Sequence, residues 1–194
     1  MAVLVFFLSS CANDPRGPTA VEPIPTPQRI PVCSGYGCRI IDTVSLDDVE
    51  WRAVRAIFHP RASSAVDERQ QIARAIALIE RFIGPKTDTP RDKGGTFPGL
   101  FEDGQMDCID ESTNTTFYLR LLVADGLIRW HAVGPDATRG YFLFGWPHTT
   151  ATMREKSSDT EYAVDSWFFD NGAEPVVIPL EQWRDGWNPS ATKS

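Results

Sequence analysis

Cys108 lies in the stretch GQMDCIDESTNTT, residues 104–116, and chemistry is read most directly from it. A thiol attacks only as thiolate, and an unassisted cysteine ionises at about pH 8.5, so a helix N-terminus or a histidine must stabilise the charge. Asp107, Asp110 and Glu111 surround the thiol and oppose its ionisation by repulsion, so a nucleophilic role requires a nearby imidazole. The chain has three histidines. His59, before Pro60, looks like a helix-terminal residue set against the dipole. His131 sits within LIRWHAV as one residue of an alternating strand. His148 opens HTTATMREK, and the next strand, EYAVDSWF, returns Asp165 to its side. A two-residue loop at Ser157-Ser158 puts Asp165 opposite Thr150, diagonal to His148 on one face. A carboxylate there holds the imidazole's tautomer and leaves the other ring nitrogen for the thiol. The expected roles are Cys108 as nucleophile, His148 as proton carrier and Asp165 as its orienting partner.

For the oxyanion, the backbone N–H of Cys108 and the side chain of Gln105 are the candidate donors. Trp167, two residues beyond Asp165, faces the same side and can shield the histidine from water. Each assignment has a plainer alternative: a small buried Cys108, a satisfied strand histidine, a network aspartate, a core tryptophan and an exposed loop glutamine. Glu102, Asp103, Asp107 and Asp110 offer oxygens for Ca²⁺, but their spacing matches no EF-hand loop, and a solvated acidic loop is the simpler reading. Neither a metal nor a cofactor is called for.

The elements that must position these residues follow from periodicity. SLDDVEWRAVRAIF reads as a helix capped by Ser45, with Val49, Ala53 and Ile57 on its apolar face. SSAVDERQQIARAIALIERFIG places Ile72, Ile76, Ile79 and Ile83 on one stripe, begins after Ser64 and stops at Gly84-Pro85. Residues 85–104 are turn-rich and irregular, long enough to suspect a part in a site. FYLRLLVADG is helical and ends at Gly126, while its start lies at Asp107 or later, at a cap on Ser112 or Thr113, because STNTT has poor helix propensity. From Leu127 onward LIRWHAV, GYFLFGW, HTTATMREK and EYAVDSWFFD read as strands. Helices followed by an antiparallel sheet make an α+β fold.

The order Cys108, His148, Asp165, with the cysteine at a helix start and the others on successive strands, resembles the transglutaminase-like branch of the papain-like cysteine peptidases. DCIDE is similar to that family's cysteine box, and PHTTATMRE and YAVDSWF to its histidine and aspartate strands. The likeness covers about residues 104–170. It implies a helix packed on an antiparallel sheet, a Cys/His/Asp triad, and acyl chemistry on amide bonds of a protein or peptide substrate, with water or an amine as acceptor.

At the N-terminus, the apolar run Ala2–Leu8 followed by small residues reads as a signal peptide over residues 1–10. Leu8-Ser9-Ser10-Cys11 resembles the lipobox of bacterial lipoproteins, in which the cysteine is acylated; Ala12, rather than Asp, implies sorting to the outer membrane. An ordinary secretory signal with a coincidental Cys11 is the alternative. The whole chain is also similar to an uncharacterised proteobacterial lipoprotein family, which supplies no activity. Residues 11–32 carry Pro15, Pro18, Pro23, Pro25, Pro27 and Pro31 and read as a tether reaching roughly 60 Å as polyproline II, with one globular domain over residues 33–194.

Export permits disulfides, and CSGYGC, with Gly35 and Gly37 inside it, is flexible enough to close a Cys33–Cys38 bridge. A zinc half-site at this pair lacks the remaining ligands. Bridging of Cys108 to Cys33 or Cys38 instead would remove the reactive thiol. Hydrophobic content of 42% and charged content of 23% fit a globular core. A net charge of -7 without a basic cluster excludes a nucleic-acid face. The expected protein is therefore a lipid-anchored periplasmic thiol enzyme on the inner side of the outer membrane, or a non-catalytic lipoprotein that binds a protein or the cell wall.

Overall fold

The structure is a computed structural model and describes residues 24–95, 104–140 and 147–189. Its elements run β1 (Ile30–Ser34), β2 (Ile40–Val44), α1 (Asp48–Ile57), α2 (Ala65–Thr87), α3 (Cys108–Ala124), β3 (His131–Val133), β4 (Ala137–Arg139), β5 (His148–Glu155), β6 (Glu161–Asp165), β7 (Val176–Pro179) and α4 (Leu180–Arg184). The layout is α+β. All pairings are antiparallel: β5 takes β3 and β4 on one side and β6 on the other, β6 takes β7, and β1 with β2 forms a separate hairpin.

The main core lies where α2 and α3 meet the sheet. Ile72, Ile76, Ile79 and Ile83 of α2 pack with Tyr118, Leu119, Leu121 and Leu122 of α3 and with Ala151, Met153 and Val164 of the sheet. The isoleucine stripe is the one its spacing implies. The Ser64 cap is also as expected, its hydroxyl accepting from the Asp67 N–H.

Other elements differ from the sequence expectation. Helix α1 is capped by Asp47, not Ser45, in a reciprocal capping box with Glu50, and it buries Trp51, Val54 and Phe58 while Val49 is 68% exposed. The aromatic pair carries more apolar area than the aliphatic stripe and wins the inward face. Helix α2 runs past Gly84-Pro85 to Thr87, with Asp88 left-handed at its C-cap. The Thr87 hydroxyl donates toward the carbonyls of Ile83 and Gly84, satisfying acceptors at this helix end.

Among the other differences, LIRWHAV shortens to β3, and residues 141–146 of GYFLFGW lie outside the described residues. The globular body begins before Cys33, because Ile30 and Val32 of β1 are buried in the main core. After Asp170, β7 and α4 add a last strand and a short helix, and Leu180 and Trp183 build a second small core with Ala137 and Ala163.

Candidate active site

Helix α3 starts at Cys108 itself. Asp107 is its N-cap, accepting from the Ile109 and Asp110 N–H groups, and Asp110 returns the bond to the Asp107 N–H. This capping box decides between the two possible starts. It also sets the thiol on the first helical residue, at the end of the helix dipole that favours an anion. The polar run STNTT stays helical because the folded body uses its side chains. Asn114 bonds both the N–H and the C=O of Cys33, Thr115 bonds Ser166, and Thr116 bonds Asp136.

Cys108 is half-buried and outside any disulfide, since Cys33 is bonded to Cys38. This excludes the alternative bridge. Its Sγ lies 4.0 Å from the carbonyl oxygen of Pro147, the residue before His148. The sheet then supplies the dyad. The β5–β6 ladder pairs Ala151 with Val164, and one further step sets Thr150 level with Asp165, the register expected from the sequence. The turn is one pair longer than the two residues expected, closing as Lys156–Asp159 between Glu155 and Thr160. An even change of length preserves the facing. His148 Nε2 lies 2.7 Å from Asp165 Oδ2, with both side chains nearly buried. A carboxylate accepts, so the N–H is on Nε2 and Nδ1 is the ring nitrogen left for other work.

The imidazole stands among rings: Trp167 at 4.6 Å, Phe168 at 5.3 Å and Trp183 at 5.4 Å between centroids. Trp183 also donates its indole N–H to the same Asp165 Oδ2, at 2.7 Å. The Trp167 N–H reaches Asp165 Oδ1 at 3.2 Å. The sequence reading missed Trp183 because five residues of α4 carry no periodicity and the tail lies beyond the family likeness.

Gln105 is buried, and its amide is engaged upstream, donating to the Arg91 carbonyl at 2.9 Å and accepting from the Lys93 N–H at 3.3 Å. It braces the segment that leads to Gly95, whose N–H donates to the Trp167 carbonyl. Gly94 has no room for a side chain, since a Cβ there would stand 2.2 Å from the Phe169 backbone. Segment 92–95 therefore lies directly along the Trp167–Phe169 turn beside the imidazole.

Several acids around α3 are held protonated more readily than usual. Asp110 is pushed up to about 6 by burial and by the charge of Asp107, against the pull of the Cys38 and Tyr36 N–H groups. Glu111 is pushed well above its usual range by burial and by Glu80 and Asp92, to whose carboxyl it is hydrogen-bonded. Burial lifts Asp92 to about 6 and Glu80 to about 7. The repulsion that Glu111 threatens to impose on a Cys108 thiolate is thus reduced by protonation.

The other histidines stand elsewhere. His131 is buried against Glu68 at 2.9 Å, and Glu68 also accepts from the N–H groups of Arg129, Trp130 and His131. This is a structural lock between α2 and β3. His59 is exposed. No group of described residues is arranged to hold a metal ion, and Glu102 and Asp103 lie outside the described residues. An open, mostly apolar groove of about 350 Å³ lies toward the far end of α3, lined by Val123, Ala124 and Val133. Comparison with protein-family models, curated proteins and solved structures finds no match.

Proposed function

We propose that this protein is a thiol enzyme of transglutaminase-like, papain-like type that acts on amide bonds, with Cys108 as nucleophile, His148 as acid–base and Asp165 as its orienting partner. The observation that carries the proposal is the 2.7 Å contact of His148 Nε2 with Asp165, together with the Cys108 thiol at the first residue of α3 lying 4.0 Å from the carbonyl oxygen of Pro147, the residue before His148. Nδ1 of His148 takes the Cys108 proton, and the thiolate attacks the amide carbonyl. The C–N bond then breaks, the amine leaves with that proton, and a thioester remains. Water attacking the thioester gives hydrolysis; a second amine gives acyl transfer. The Cys108 N–H at the helix start supplies one oxyanion donor. Gln105 supplies the second through the amide hydrogen not given to Arg91.

The same proposal sets the enzyme on the periplasmic side of the outer membrane, held by a lipid on Cys11. The Cys33–Cys38 disulfide suits an oxidising compartment. The substrate is a protein or peptide of the envelope.

The test is alkylation of the purified full-length chain across pH, with Cys108→Ala and His148→Ala as controls. Labelling well below pH 8 that vanishes in Cys108→Ala and slows in His148→Ala is the expected result. Equal slow labelling of wild type and His148→Ala removes the enzyme and leaves a lipoprotein that works by binding.

A further inference from the structure

We infer that Trp183 is a positioning residue for this thiol chemistry, fixing through Asp165 which nitrogen of His148 carries the proton; the inference rests on the function proposed above. Two rings converge on one oxygen, since Asp165 Oδ2 is 2.7 Å from both His148 Nε2 and Trp183 Nε1. An indole nitrogen can only donate. It therefore requires Oδ2 to be an acceptor, and the imidazole nitrogen sharing that oxygen must donate as well. With Oδ1 held by the Trp167 N–H, the carboxylate has donors on both oxygens and its plane is fixed.

The arrangement closes on itself. Arg139 lies over the Trp183 ring at 4.4 Å and donates to the Trp183 carbonyl oxygen. In the β4–β5 ladder Arg139 is the partner of His148. His148, Asp165, Trp183 and Arg139 thus form a ring of contacts through β5, β6, α4 and β4. Any buried tryptophan needs an acceptor for its N–H; what marks Trp183 is that its acceptor is the very oxygen that holds the imidazole. Trp183 is fully buried, and its N–H is spent on the carboxylate that orients the imidazole.

The test separates the N–H from the volume. Trp183 is replaced by the isosteric benzothienylalanine, in which sulfur stands for the N–H, and separately by Trp183→Phe, both in the full-length protein. The readouts are the ring-nitrogen NMR signals of His148, which report its tautomer, and the pH profile of Cys108 alkylation. Wild type should show the Nε2–H tautomer. The isostere should show a mixed tautomer and move the labelling midpoint up by about one unit, roughly tenfold slower labelling below the midpoint. Combining Trp183→Phe with Asp165→Asn should slow labelling no further than Asp165→Asn alone. Should Trp183→Phe fail to fold, the isostere carries the test. A folded isostere with the wild-type tautomer and labelling profile overturns the inference. Wild-type labelling in His148→Ala would defeat the thiol-enzyme proposal instead, and the tautomer comparison would still decide whether Trp183 orients the ring.

Discussion

Asp165 accepts hydrogen bonds from His148, Trp183 and the Trp167 backbone at once, and single-residue changes there should act on rate before stability. Asp165→Asn keeps the shape but lets the amide offer a donor toward Nε2, favouring the wrong tautomer. Alkylation of Cys108 at pH 7 is expected to slow at least about tenfold. Glu111→Gln is the opposite case. Glu111 is held protonated by burial and by its acidic neighbours, so a neutral amide should change stability at pH 4 by less than about 1 kcal/mol in urea denaturation and raise it progressively from pH 6 to pH 8. At this scale the histidine–aspartate pair was legible because period two along a hairpin decides which residues share a face. The acid cluster was not, because Glu80, Asp92 and Glu111 come from three separate segments and meet only on folding.

Among the elements, the β1–β2 hairpin does more than its length suggests. Its disulfide loop donates the Tyr36 and Cys38 N–H groups to Asp110, and Asn114 pairs with both backbone groups of Cys33. The first turns of α3, which carry Cys108, are therefore clamped from outside the helix. Asn114→Ala leaves a buried N–H and C=O of Cys33 unpaired and should cost roughly 3 kcal/mol in urea denaturation. The clamp explains the uneven legibility of the elements. Helix α2 declares itself through a repeated isoleucine spacing that its neighbours only reinforce. The phase of α1 turned on which of two apolar faces won the core. The start of α3 turned on partners far along the chain, which no local propensity records. The first strand was hidden by its Pro31, read as tether, although antiparallel pairing at a hairpin edge accommodates a residue without an N–H.

For the molecule as a whole, the buried carboxyls set an unusual dependence on pH. Glu80 is raised to about 7 and Asp92 and Asp110 to about 6, so the folded protein binds these protons more tightly than the unfolded chain. Linkage then makes their contribution full below the ordinary carboxylate range and progressively lost as pH rises through 6 to 7. Glu68, Asp67 and Asp170 are lowered, and what they contribute is lost only as pH falls below about 4. The urea midpoint should therefore peak near pH 4 and fall toward pH 7. Glu80→Gln, which keeps an acceptor for the Gly172 N–H, should flatten that fall.

The turn Lys156–Asp159 sits at the far end of the β5–β6 ladder from His148 and Asp165, yet it governs whether they meet. Variants that lengthen or shorten it by two residues keep imidazole and carboxylate on a common side, while an odd change without a compensating bulge sends one of them through to the opposite surface. Parity at a solvent-facing bend, far from any reacting atom, is thus a condition for the chemistry.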